Sequence, residues 1–142
     1  MKTINAFLIL GLLTLLSCTH QKLEPIKLNI DKCNNCGMTI SDIKFAAELV
    51  TNKGRSYKFD DIACMMKYIY ENKEKTTGSQ FYVSNYIGTH ELMITKNASY
   101  IKEETLKSPM GGNTAAFSNN DSAAAFSKKF NKSIIFWETL NQ

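Results

Sequence analysis

The apolar run Ala6 to Leu16, closing on Cys18, limits this chain more than any other feature, because it decides which residues are left to fold. Lys2 precedes it and only Thr14 interrupts it. It is shorter than the ~20 apolar residues needed to cross a bilayer, and it has the length of a signal-peptide core. Leu15-Leu16-Ser17-Cys18 sets an apolar residue three before the cysteine and a small one directly before it. That is the pattern of a bacterial lipobox, in which the thiol takes a diacylglycerol and cleavage makes Cys18 the new N-terminus. An ordinary secretory signal with an incidental cysteine is the alternative. One acyl chain binds a membrane only weakly, with K ~10⁴ M⁻¹, so the two or three chains of a lipoprotein are what would hold the anchor. The expected organisation is a lipoprotein-type signal peptide at 1–17, a lipidated tether at 18–29 and a folded domain at 30–142. Localisation follows: the periplasm, with Thr19 rather than Asp after the lipid cysteine favouring the outer membrane.

Removing residues 1–17 leaves 125 of the 142 and lowers the formal charge from +4 to +3, since only Lys2 is lost. That length suits one domain with a real core, and so mild a charge argues against nucleic acid as a partner. No later segment is long and apolar enough to span a bilayer.

Within the domain, Phe45–Thr51 and Ser56–Phe59 are strand-like, and Asn52-Lys53-Gly54 between them has the composition of a hairpin turn. Asp60-Asp61 offers a helix cap ahead of Ile62, Met65, Met66 and Ile69 at helical spacing, and the helix should fade near Asn72. A polar connection, Lys73–Gly78, leads to a strand at Phe81–Tyr86. The order then recurs: a strand at Glu91–Thr95, Ala116-Phe117 leading to a cap at Asp121, a helix at Ala123–Phe130 and a last strand at Ile134–Trp137. Phe59 and Phe117 become counterparts, 58 residues apart. The expected class is α+β: two ββαβ pseudo-repeats, with small antiparallel sheets each covered by a helix.

Sulfur carries the chemistry. With Cys18 given to lipid, Cys33, Cys36 and Cys64 remain, an odd number that no complete disulfide framework can use. Cys33-Asn34-Asn35-Cys36-Gly37-Met38 gathers three sulfur side chains in six residues, and the glycine lets the chain turn back so that they converge. Three readings stay open. The first is a structural disulfide in an oxidising compartment. The second is a thioredoxin-type redox pair, although no helix pattern follows to lower the first thiol's pKa. The third is a site for a soft monovalent ion, since thiolates and thioethers select Cu(I). Zinc would want four ligands, and His20 and His90 are poorly placed to supply them. Met110 joins the third reading because Ser108-Pro109-Met110-Gly111-Gly112 is a turn by composition, where a long apolar side chain is out of place. In the repeat scheme Pro109-Met110-Gly111 stands where Cys36-Gly37-Met38 stands in the first half. Met65, Met66 and Met93 read as core filler. Cys64 reads as a small buried residue, or as a secondary ligand if its helix N-terminus lowers its pKa. His90 reads as a solvated residue with a minor claim to be a nitrogen ligand, and Asp60 and Asp61 as caps.

Taken in order, Cys33-x-x-Cys36-Gly-Met-x-Ile, Phe45-Ala-Ala-Glu48, Phe59-Asp-Asp-Ile-x-Cys64-Met65, a Tyr-rich strand, Pro109-Met110-Gly and Phe117 resemble the NosL family, lipoprotein accessory factors of nitrous oxide reductase. The resemblance spans nearly the whole chain. It implies a copper-binding domain of two ββαβ units, with a likeness to organomercury lyase. It also implies a periplasmic Cu(I) chaperone, not an enzyme, serving maturation of the reductase in denitrification. The implied partners are the apo reductase, whose copper–sulfur centre it supplies, and copper or ABC-type assembly factors. The family's ligands carry over onto Cys36 and Met110. Cys33 is then an extra ligand or a disulfide partner, and Met38 a further donor from the same motif. The competing expectations are a periplasmic thiol–disulfide oxidoreductase using Cys33 and Cys36, and a purely structural lipoprotein.

Overall fold

The structure, a computed structural model, describes residues 23–140. The expected signal peptide, the lipidation at Cys18 and the first part of the tether lie outside the described residues. No helix among the described residues is long and apolar enough to cross a membrane.

Strands β1 (Ala47–Val50) and β2 (Ser56–Phe59) form the anticipated hairpin, paired from Ala47↔Phe59 to Val50↔Ser56. The turn closes through Gly54, whose φ of +79° is natural for glycine and strained for other residues. All four residues of β1 are buried. Helix α1 (Ile62–Glu71) follows at once, capped by Asp61, and a short helix α2 (Lys73–Thr76) occupies the expected polar connection. Strand β3 (Gln80–Ser84) returns antiparallel to β1, and β4 (Leu92–Ile94) adds to β3, giving the order β2-β1-β3-β4.

Beyond it, β5 (Ser99–Lys102) and β6 (Thr114–Phe117) make a second antiparallel sheet, followed by α3 (Asn120–Phe130). Ile135 then bridges back to Tyr100 of β5 before a last helical turn, α4 (Trp137–Leu140). The class is the expected α+β with small antiparallel sheets. In both halves a hairpin leads to a helix, and the chain beyond the helix returns to the hairpin's first strand.

Four local expectations shift. The strand at Glu91–Thr95 does not open the second half; as β4 it extends the first sheet, and the opening strand is β5, unnoticed because Ser99–Lys102 lacks apolar–polar alternation. The strand expected at Ile134–Trp137 shrinks to the single bridge at Ile135, because Trp137 turns inward against Phe81 and Tyr100, with ring centroids 6.0 and 6.2 Å apart. The cap of α3 is Asn119, not Asp121. The Pro109-Met110-Gly111 turn joins β5 to β6, whereas Cys36-Gly37-Met38 precedes β1, so the two loops are not counterparts.

One buried cluster, with Ile40, Leu49, Phe59, Met65, Val83, Tyr100 and Trp137, runs between the first sheet, α1 and α4. A smaller one joins Ile101, Ala115, Phe117 and Ala123 beneath α3. The halves meet where Tyr86 N–H donates to the Ala116 carbonyl at 2.7 Å.

Candidate metal centre

The Cys33–Met38 segment folds into a closed turn. Gly37 N–H donates to the Cys33 carbonyl at 2.9 Å and Cys33 N–H to the Met38 carbonyl at 2.8 Å. Gly37 takes φ +77°, the left-handed value its sequence position called for. The two asparagines between the cysteines fix where this turn sits. Asn34 exchanges bonds with Lys58 of β2: its N–H donates to the Lys58 carbonyl at 2.8 Å, and its side-chain oxygen accepts from Lys58 N–H at 2.7 Å. The Asn35 amide donates to Cys64 Sγ at 3.3 Å. The turn is thereby clipped over the junction of β2 and α1.

That junction supplies the remaining donors. Cys36 Sγ donates to Asp60 Oδ2 at 3.3 Å. Ligand atoms of Cys33, Cys36, Asp60 and Cys64 all lie within 4.8 Å of one another, and only Cys36 is part-exposed. The three cysteines are free thiols. Asp60 is 1% exposed, and its other oxygen, Oδ1, accepts no hydrogen bond. Three soft sulfurs and one oxygen so close together form a group able to hold a thiophilic metal ion.

Burial, then the neighbouring Cys33 and Asp60, pushes the Cys36 thiol up from 9.0 to about 11. Burial, with Asp60 and Cys33 beside it, drives Cys64 higher still. The condition under which Cys64 would be a secondary ligand, a pKa lowered by the helix N-terminus, is not met, because desolvation outweighs it. Both groups are therefore neutral thiols at ordinary pH and poor nucleophiles, the reverse of an activated redox pair.

Asp61, next to Asp60, ties a second loop to the same place. Its Oδ1 caps α1 by accepting from Cys64 N–H at 2.9 Å. Its Oδ2 accepts from Ser108 Oγ at 2.8 Å, Met110 N–H at 3.2 Å and Gly112 N–H at 3.4 Å. Gly112 must be glycine for this approach, since a Cβ there would stand 2.6 Å from the Ala63 Cβ. Neighbouring carboxylates thus contact Cys36 and the Met110 backbone. The side chains of Met110 and Met38 are 42% and 56% exposed.

The structure therefore gathers Cys33 and Cys36, and ties the Met110 loop to the residue beside Asp60. His90 is held apart, its Nδ1 2.9 Å from the Asn85 carbonyl oxygen. Met65 is fully buried, and Met66 and Met93 pack against the main core, as core filler should. Sequence reasoning gave Asp60 to capping, but Asp61 alone caps, and Asp60 turns into the thiol group. It saw Cys64 as a buried residue first. A local signal was present for Cys64 alone, which lies in the first turn of α1, three residues past its Asp61 cap. The contact across 24 residues from Cys36 to Asp60 left no mark in the spacing.

The fold and this site define a small two-sheet α+β protein with a thiol-rich group suited to a metal ion. The chain belongs to the NosL family, whose family model matches residues 25–142. A solved structure, described as the crystal structure of the copper chaperone NosL from Shewanella denitrificans, superposes with a TM-score of 0.71 at 17% identity, covering 86% of this chain and 97% of that one. At that identity the likeness speaks for the fold. No curated protein matches this sequence.

Proposed function

We propose that this protein is a lipid-anchored periplasmic chaperone that binds Cu(I) and delivers it for assembly of the copper–sulfur centre of nitrous oxide reductase. The observation that carries the reading is the thiol group itself, three cysteines and Asp60 within 4.8 Å, in a chain of the NosL family. Thiolate and thioether donors select Cu(I) over hard cations. Cu(I) is cargo here, so the chemistry is transfer rather than catalysis. Cys36 is the part-exposed thiol, and Met110 is held by Asp61 at the adjacent surface; these two are the principal ligands, with Cys33 and Met38 as further donors. Because Met110 is substantially exposed, an acceptor can displace it first and then draw the ion from Cys36. The anchor at Cys18, at the outer membrane on the evidence of Thr19, would confine the donor to a membrane surface near the apo reductase and its copper or ABC-type assembly factors.

Anaerobic competition against a chromophoric Cu(I) chelator tests this. One tight site is expected, weakened at least about tenfold by Cys36→Ser or Met110→Leu, which corresponds to roughly 1.4 kcal/mol. Parental affinity in both variants would place copper elsewhere. The alternative function, thiol–disulfide exchange at Cys33 and Cys36, requires turnover in a disulfide reduction assay. The raised Cys36 pKa opposes it. Deleting the gene should leave the reductase without its copper–sulfur centre, and replacing Cys18 should release the protein from membranes.

A further inference from the structure

We infer that Cys64, together with Cys33, ligates the same ion from beneath, so that the copper site is a buried three-thiol pocket opening through Cys36 to the exposed methionines. This rests on the Cu(I) reading and extends its ligand set into the first turn of α1.

Three observations on separate elements converge on it. Cys33 and Cys64 are 2% and 3% exposed, yet their sulfurs share a space with Cys36 Sγ and an Asp60 oxygen. A merely structural cysteine needs no such company. The Asn35 amide is aimed at Cys64 Sγ at 3.3 Å. That bond ties the turn carrying Cys33 and Cys36 directly to the sulfur of Cys64. Finally, Asp60 Oδ1 is buried without a donor, while Oδ2 faces Cys36. A buried carboxylate oxygen left without a donor marks a position that a further ligand completes. Asp60 need not ligate; its charge faces the pocket.

The pocket also explains retention. A site made only of Cys36 and Met110 lies where solvent and competing thiols reach both donors. Donors at the level of Cys33 and Cys64 hold the ion below the surface, and Cys36, part-exposed, is the thiol through which it leaves. Each thiol that ligates releases its proton to solvent as its sulfur–copper bond forms. Copper enters and leaves as Cu(I), and no electron is exchanged.

The test is copper-edge X-ray absorption, with chelator competition, on the full-length protein purified anaerobically in detergent and loaded with one equivalent of Cu(I). Cys64→Ser and Cys33→Ser should each remove one sulfur neighbour and weaken binding at least about tenfold. A Met38→Leu/Met110→Leu double variant, in which only thiols supply sulfur, should keep three sulfur neighbours. Parental affinity and sulfur count in Cys64→Ser, with Cys36→Ser and Met110→Leu weakened, overturns the inference and leaves the Cys36–Met110 reading standing. Parental behaviour of Cys36→Ser and Met110→Leu overturns the reading itself. Should Cys64→Ser fail to fold, the double variant decides alone: three sulfurs uphold the pocket, and fewer reject it.

Discussion

The two halves of the molecule build the same strand-to-helix junction and use it differently. Phe59 closes β2 and Asp61 caps α1; 58 residues on, Phe117 closes β6 and Asn119 caps α3. Each cap accepts from the backbone N–H three residues ahead, Cys64 at 2.9 Å and Ser122 at 2.8 Å. Met65 and Ala123, one residue further, are both fully buried. Around this shared frame everything else differs. In the first half Asp60, Asp61 and Cys64 are buried under two loops; in the second, Ser118 and Asn119 are exposed and Ser122 is half-buried. The scaffold alone therefore makes no site. The Cys33–Met38 turn and the Ser108–Gly112 turn make one, by covering one copy of the junction and leaving the other open.

The sharpest way to break that comparison is to remove both caps. Asn119→Ala should cost about 1 kcal/mol, the ordinary loss of a helix cap. Asp61→Ala should cost about 3 kcal/mol or more, because it also strands the Ser108, Met110 and Gly112 donors. Urea denaturation of the reduced protein measures both, and equal costs would show that the methionine loop is not held by Asp61. Cu(I) affinity should fall in Asp61→Ala and stay parental in Asn119→Ala.

Acidity separates the halves next, since Ser122 stands where Cys64 does and cannot ionise in this range. Cys36 is raised in the fold above its ordinary 9.0, to about 11. A group raised in this way contributes stability that is full below its unfolded pKa and is lost as pH climbs through the folded one. The metal-free, reduced protein should therefore lose up to about 2 kcal/mol between pH 9 and about 11, at 1.36 kcal/mol per unit. Cys36→Ser should flatten that limb. The proposed copper binding should have the opposite pH slope. Each ligating thiol must shed a proton, so affinity should fall about tenfold per thiol for each unit of pH lowered, measured by chelator competition between about pH 6 and pH 8.

Gly112→Ala tests the contact between loop and helix with a smaller effect. Overpacking the 2.6 Å approach to the Ala63 Cβ should cost about 1–3 kcal/mol, and Ala63→Gly in the same chain should recover part of it. Additive losses would mean the loop sits elsewhere in solution.

How much of this was legible beforehand follows the range of the interactions. The β1–β2 hairpin, α1 with its Asp cap and the Cys-Gly-Met turn were readable because Gly54, Asp61 and Gly37 act within a few residues of themselves. Of the site, Cys33 and Cys36 were legible as a pair. The role of Asp60 was not, because two adjacent aspartates look alike until Cys36, 24 residues earlier, folds against one of them. The second half was harder. Ser99–Lys102, with Tyr100 and Ile101 adjacent between a serine and a lysine, lacks the alternation that announces a strand, and the burial of Trp137 overrides the β propensity of the Ile134–Phe136 run before it.

The smallest expected effect bears directly on what distinguishes the two caps. Asparagine and aspartate cap helices about equally well, so Asn119→Asp, on an exposed junction, should change stability by no more than about 0.5 kcal/mol. The small gain from a negative charge at the α3 N-terminus should fade with added salt. Asp61→Asn makes the reverse exchange where the surroundings are buried. There, if the amide keeps its oxygen on Cys64 N–H, its nitrogen faces the Ser108, Met110 and Gly112 donors and can accept from none of them. Asp61→Asn should consequently be the costlier exchange by at least about 1 kcal/mol. If the two exchanges cost the same, the carboxylate at 61 is only a cap, and the methionine loop must be held by something other than its second oxygen.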